Sequence, residues 1–222
     1  MGVVLKLSGR VFEDEGLVYA YAKIVKNYGG KIAVVAGGGE VARRYIAVAR
    51  GGGASNTFQD LLGIYASRLN ALLFLSLLGE EAYPKVPVNL EEFLDAWRRY
   101  KYVVAGGFQP GQSTATVAAL VAEAAGASIL LNAANIDAVY DDDPRRNPNA
   151  RRLSELTYDE LENIVKSSAL PGGYELLDMW SISILKRNCI TTYIFDGRKP
   201  DHLGAVLRGE NPGSKVTCTR RL

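Results

Sequence analysis

Three glycine clusters carry the residues best suited to chemistry: Ser8-Gly9, Gly37-Gly38-Gly39, and Gly106-Gly107 running on through Phe108-Gln109-Pro110-Gly111-Gln112-Ser113-Thr114. Each follows an apolar run and precedes a helix-like stretch. A glycine turn lets backbone N–H groups come close to an anion, and the helix start beyond it adds unpaired donors and a favourable dipole. A single cluster reads better as a strand terminator or a tight packing point. Three of them behind Val-rich runs read as a cradle for a polyphosphate. Lys6, Arg10 and Arg43 stand beside the first two turns and would supply positive charge. Lys6 interrupts an apolar strand, so alternation sends it to the face opposite its neighbours or to the strand end. The plain alternative is an exposed edge lysine. Arg43 and Arg44 point about 100° apart on a helix, so at most one of them faces a site.

The familiar nucleotide signatures are missing: no GxxxxGK[ST] occurs, and no GxGxxG follows the first strand. There is also no obvious general base. The one histidine, His202, sits in Lys199-Pro200-Asp201-His202, far along the chain from every glycine cluster, and reads as a surface residue at a helix start. Phosphoryl transfer to a phosphate acceptor needs no base, because a phosphate monoester with a second pKa of about 6 is already largely dianionic at neutral pH. Asp60 reads either as an acceptor for ribose hydroxyls or as a helix cap. Asp141-Asp142-Asp143 reads as a solvated turn before Pro144 rather than a metal cage, since Mg²⁺ usually rides on substrate phosphates. No protein metal site is expected. Tyr140 reads as a platform for a base or as an ordinary strand-end aromatic.

The elements that must position these residues alternate in type. Val3 to Leu7 reads as a strand, Val18 to Tyr28 as a helix, and Ile32 to Ala36 as a buried strand feeding Gly37. A helix carrying Arg43 and Arg44 follows, then a longer one over Phe58 to Leu78, apolar nearly all round near Ala71 to Leu75. Tyr102 to Ala105, Ile129 to Leu131 and Thr191 to Phe195 read as further strands. Ala115 to Ala125 and Leu176 to Lys186 read as helices, and Asn132 to Asn149 as a polar loop. Strands separated by helices predict an α/β fold with a mostly parallel sheet covered on both faces. Right-handed crossovers then gather the glycine turns at the carboxyl ends of the strands.

Bulk properties exclude several classes. The 222 residues are 48 % hydrophobic and 23 % charged, so neither disorder nor a membrane protein is suggested. A balance of 26 Lys and Arg against 24 Asp and Glu is too even to argue for nucleic acid. The first residues reach Lys6 too soon for a signal segment or a membrane span. Only Cys189 and Cys218 are present, which predicts no disulfide framework and fits a reducing, cytoplasmic compartment. No linker or repeat is visible, so residues 1–222 read as one domain.

Five blocks, in order and spacing, resemble a known family. Lys6-Leu7-Ser8-Gly9 and Gly37-Gly38-Gly39 followed by Ala42-Arg43-Arg44-Tyr45-Ile46 look like the amino-acid-kinase superfamily. Asp60 to Ala71, Gly106 to Thr114, and Asn135 to Tyr140 with Asp143-Pro144 are similar to its archaeal-type uridylate kinases. The resemblance implies a three-layer α/β/α sandwich, ATP with Mg²⁺, UMP as acceptor, UDP as product and a homohexamer built as a trimer of dimers. It implies an N-terminal part mainly for UMP and a C-terminal part mainly for ATP. By position it assigns Lys6, Leu7, Ser8, Gly9, Arg10, Gly39 and Arg43 to the ATP phosphates and Ala134, Asn135, Tyr140 and Asp143 to the adenosine. UMP falls to Gly38, Asp60 and Gly107 through Phe108, Gln109, Pro110, Gly111, Gln112 and Ser113 to Thr114. Lys6 and Arg43 become catalytic, and Asp178 an acidic position that organises the lysine. Ala134, Ala138, Met179 and Ala115 depart from residues common in the family (Thr, Gly, Pro and Asp), and Ala138 adds a Cβ at a turn. An isopentenyl-phosphate-kinase-like activity or a non-catalytic nucleotide sensor stays open as an alternative.

Overall fold

A computed structural model of the chain describes residues 2–144, 147–167 and 177–219. Its elements in order are β1 (Val3–Leu7), α1 (Glu15–Asn27), β2 (Ile32–Ala36), α2 (Gly39–Gly51), α3 (Asn56–Ser76), α4 (Leu90–Arg99), β3 (Tyr102–Ala105), α5 (Thr114–Ala124) and β4 (Ile129–Ala134). There follow β5 (Val139–Tyr140), β6 (Arg152–Leu153), β7 (Glu155–Thr157), α6 (Tyr158–Ser167), α7 (Met179–Arg187), β8 (Thr191–Asp196), α8 (Asp201–Leu207) and β9 (Ser214–Thr217). A 3-10 turn, Gly9–Glu13, links β1 to α1.

Seven strands form one sheet in the order β3-β2-β1-β4-β8-β9-β7. The first five are parallel, β9 runs antiparallel to β8, and β7 parallel to β9. The parallel strands are apolar throughout because both faces are covered. Alternation splits their side chains between two cores. Val3, Leu5, Leu7, Val34 and Leu131 pack with α1, α3 and α8, through Tyr21, Phe74 and Leu203 among others. Val4, Val35, Val103 and Leu130 pack with α4 to α7, through Phe93, Val117, Leu161 and Ile182. Burying each such Leu, Val or Phe contributes about 1.5–3 kcal/mol. The result is the three-layer α/β/α arrangement the sequence predicts.

Most predicted elements form, with ends set by local capping. The α3 helix begins earlier than expected because Ser55 Oγ accepts from Phe58 N at 3.4 Å. Asp60 therefore lies inside the helix, which overturns its reading as a cap. α4, which was not among the expected helices, begins at Leu90 behind Asn89, whose side chain accepts from Glu92 N at 2.8 Å while Glu92 accepts from Val88 N at 3.0 Å. The expected loop from Asn132 is partly strand: Asn132 to Ala134 extend β4, and β5 pairs with β6 as a small hairpin. Leu176, the expected start of the last long helix, lies outside the described residues, and α7 begins at Met179 behind the Asp178 cap.

The two cysteines overturn an expectation. Cys189, at the α7–β8 turn, and Cys218, after β9, form a disulfide. They are 29 residues apart in sequence. They meet because β9 returns antiparallel along β8, ending where β8 begins. The cysteine count thus no longer argues for a reducing compartment. Closing a loop of this length is worth about 3–4 kcal/mol on the chain-entropy account. Cys218→Ser is accordingly expected to lower the thermal midpoint measured without reductant, and to leave it unchanged from wild type once both are fully reduced.

Candidate active site

β1 ends between the ends of β2 and β4. Gly37 N donates to Leu7 O at 2.9 Å on one side, and Ser8 N donates to Ala133 O at 2.9 Å on the other. The chain leaves β1 over the α1 face but leaves β4 toward the α6–α7 face. That reversal opens a crevice at the carboxyl ends of the strands. The first two glycine turns then touch backbone to backbone: a Cβ on Gly9 would lie 1.9 Å from Gly39 N, and Gly39 takes a left-handed φ of 63°. Among the described residues the N–H groups of Gly9, Gly38 and Gly39 have no acceptor. Gly38 supplies no side-chain cap to α2; the Glu13 carboxylate takes the Glu40 N–H of its first turn, and the Gly38 and Gly39 N–H groups remain for an external anion.

A cavity of about 270 Å³ lies against this edge. Of the residues assigned to the site from sequence, it gathers Gly38, Gly39, Arg43, Asp60, Gly107, Gln112, Ser113 and Thr114. Two helix N-termini, those of α2 and α5, open onto it. Ala42, Ile46, Gly63 and Ile64 add an apolar wall. A larger cavity of about 520 Å³ lies beside the Cys189–Cys218 bridge at the other end of β8. It holds none of the glycine turns, so size here does not mark the chemistry.

Positive charge is supplied by two elements. Arg43 is held by Glu13 and Glu40, each at 3.1 Å, and Glu13 also accepts from Glu40 N at 2.9 Å. Two carboxylates aim the guanidinium while its remaining N–H groups stay available to an anion. Lys6 is in register with Val35 and Asn132, so it points to the α5 side of the sheet near the end of β1. Ser8 caps the 3-10 turn, its Oγ accepting from Arg10 N at 3.4 Å.

The loop from Gly106 to Thr114 is held largely by α3. Ser67 Oγ accepts from Gly107 N at 2.8 Å, and Asp60 Oδ2 accepts from Gly111 N at 2.9 Å. Asn70 Nδ2 donates to Gly37 O at 2.7 Å, so the same helix also steadies the second glycine turn. Ser113 caps α5, its Oγ accepting from Ala115 N and Thr116 N at 3.1 and 3.0 Å. Asp178, assigned from the resemblance to organise Lys6, caps α7 and accepts from Ser113 Oγ, from Thr116 Oγ1 at 2.8 Å and from Ser181 N at 2.9 Å. It thereby ties α7 to the start of α5. Phe108 packs partly into the core, while Gln109, Pro110 and Gly111 are exposed outside the cavity lining.

The residues assigned to adenosine lie on the far side of β1, at the end of β4 and in the hairpin. Ala134 O accepts from Gly197 N at 2.7 Å, and Asn135 follows it, partly exposed. Tyr140 donates to Asp137 at 3.1 Å; burial first, and that carboxylate second, push its pKa up. Asp141 pairs with Arg151 at 2.9 Å and Asp142 accepts from Asn147 at 2.9 Å, while Asp143 is buried. Among the described residues no three acidic, imidazole or thiol groups converge. Nearby, burial pushes the Asp196 carboxyl up, but the Arg198 side chain and backbone N–H reverse this and hold it below the usual range. His202 stands at the start of α8, against Phe195, with burial pushing its pKa down.

Sequence reasoning assigned no role to Glu13, Ser67, Arg68 or Asn70. The legible signal on α3 was Ser67, Arg68 and Asn70 interrupting the otherwise apolar run from Leu61 to Leu75.

Residues 1–196 match the model of the amino acid kinase family. The chain is 77 % identical over 218 residues to a uridylate kinase of Pyrobaculum neutrophilum, covering 98 % of this chain and 100 % of that one. It is 44 % identical to a uridylate kinase of Sulfurisphaera tokodaii, covering 97 % and 99 %. Among solved structures it resembles a uridylate kinase from Archaeoglobus fulgidus with a TM-score of 0.88 at 37 % identity, covering 98 % and 100 %.

Proposed function

This chain belongs to the amino acid kinase family, and from that premise we propose that it is a UMP kinase, moving the γ-phosphoryl of ATP onto UMP to give UDP and ADP. The observation that carries the chemistry is the convergence of two helix N-termini and Arg43 on one cavity beside the turns of Gly9 and Gly37 to Gly39. The uridine preference is supported by near-full-length identity to uridylate kinases.

The residues divide the work by position. UMP lies in the cavity between α2 and α5, with Asp60, Gly107 and Gln112 to Thr114 around it. ATP lies across β1, its phosphates on Lys6, Ser8, Gly9, Gly39 and Arg43 and its adenosine toward Ala134, Asn135, Tyr140 and Asp143. The acceptor phosphate is already ionised, so no side chain removes a proton from it. What the protein supplies is in-line placement and neutralisation of charge on the moving group. Lys6 and Arg43 provide the neutralisation, and Asp178 keeps the α5 start in place. Mg²⁺ would be carried by phosphate oxygens and water, since this ion usually rides on substrate phosphates. Such an ion would shield the β- and γ-oxygens when bound.

Residues 1–222 act as one domain, an account supported by a sheet that draws strands from both ends of the chain. The functional assembly is a homohexamer, a trimer of dimers. Exposed Tyr45 and Val48 on α2 and Phe58, Tyr65, Leu69 and Leu72 on α3 offer an apolar face that a second copy would cover. Among the described residues no helix is long and apolar enough to cross a membrane. The enzyme works in the cytoplasm.

A coupled assay for ADP release across UMP, CMP, dUMP and isopentenyl phosphate tests the activity, with sedimentation of the same preparation testing the assembly. Turnover is expected with UMP above all and none with the isoprenoid. A silent UMP arm, or preference for isopentenyl phosphate, would overturn the function, and a monomer in solution would overturn the hexamer.

A further inference from the structure

Arg68, on α3, donates from Nε to Gly107 O, and from Nη2 to Phe108 O and Val88 O, each at 2.9 Å. Three carbonyls from two separate segments thus meet on one planar fork, a geometry for which the fixed N–H directions of a guanidinium are suited. The group is partly buried and lies 5.9 Å from the Tyr65 ring.

The loop it holds cannot move inward. A Cβ on Gly106 would lie 2.7 Å from Arg68 N, so its backbone already rests on the backbone of α3. The Gly107 unit is gripped at both ends, its N–H by Ser67 Oγ and its C=O by Arg68. All peptides here are trans, so each N–H points opposite the preceding C=O. With the Gly107 and Phe108 carbonyls turned to the Arg68 guanidinium, the N–H groups of Phe108 and Gln109 point away from that guanidinium. Neither has an acceptor among the described residues.

We propose that Arg68 is a positioning residue that orients these two N–H donors toward oxygen atoms of bound UMP. The inference rests on the reading that the Gly107 to Thr114 loop receives UMP. Arg68 itself stays outside the cavity lining and touches no reacting atom. Lysine at this position keeps a charge but offers a point donor in place of the fork, so the two carbonyls are released and the donors lose their direction.

Steady-state kinetics of Arg68→Lys and Arg68→Met, with UMP and ATP varied separately and thermal unfolding as control, tests it. Both folded variants should raise KM for UMP about tenfold, the scale of one net hydrogen bond, with KM for ATP and kcat within about twofold. An unchanged KM for UMP, or an equal rise for UMP and ATP, overturns the proposal. Loss of folding in the lysine variant also overturns it, by making Arg68 a residue of the framework alone. Wild-type protein without UMP turnover would instead remove the reading of the loop on which the inference rests.

Discussion

Replacing Lys6 with alanine is expected to cut kcat by about 10²–10³-fold, the scale for losing one preorganised charge or donor at the transition state, and to leave UMP affinity within about twofold. The reason lies in its placement. Lys6 is the next-to-last residue of β1, followed within three positions by Ser8 and Gly9, and alternation turns it to the α5 side of the sheet. The UMP cavity is lined instead from α2, α3 and the loop before α5. A cation beside the transferring group gains its advantage only as charge moves onto the oxygens between donor and acceptor, so its loss appears in kcat rather than in acceptor binding. The coupled assay gives kcat, and calorimetric titration of UMP into the variant gives its affinity. Equal loss of UMP binding and turnover would take Lys6 away from the transferred phosphoryl and place it with the acceptor.

Gly9→Ala should be nearly as damaging, by a different route. The added Cβ would lie 1.9 Å from Gly39 N and 2.3 Å from Gly39 Cα, and both obstacles are backbone. No rotamer relieves that contact, so the turn after β1 and the turn after β2 must separate. Overpacking of this kind costs about 3 kcal/mol, or roughly 6–12 °C in thermal midpoint for a chain of this size. Because the same two turns carry the unpaired N–H groups proposed for the ATP phosphates, turnover should fall by more than about 10²-fold. Gly51→Ala, at the end of α2 with nothing within 4 Å of the new Cβ, serves as the control and should leave midpoint and activity near wild type. A Gly9→Ala protein with normal stability and rate would show that the two turns do not need their close approach.

Much of the scaffold was legible from local pattern. Val-rich runs ending in glycine announced parallel strands buried on both faces, and the stretches between them announced helices, because periodicity and turn chemistry depend only on neighbours in the chain. The same locality made the glycine turns at residues 9, 37 to 39 and 106 to 107 visible as anion-binding candidates. Ends were harder. Ser55 moved the start of α3 through a single side-chain bond that competes with several other polar residues nearby, and α4, behind its Asn89 cap, was not read from the sequence at all.

The functional residues divide along the same line. By its own order of residues the chain determined an α/β sandwich, three glycine turns at strand ends, and cations at positions 6, 10 and 43 beside them, since each is a property of a few consecutive residues. Only the tertiary structure decided that α3 clasps two of those turns through Ser67, Arg68 and Asn70, that Asp60 answers Gly111 rather than capping its helix, that Asp178 reaches Ser113, and that Cys189 finds Cys218. Those contacts join residues 29 to 65 positions apart. The contacts at the glycine turns exist because parallel crossovers stack distant strand ends on one edge of the sheet, and the disulfide because β9 returns antiparallel along β8, placements that no local pattern encodes.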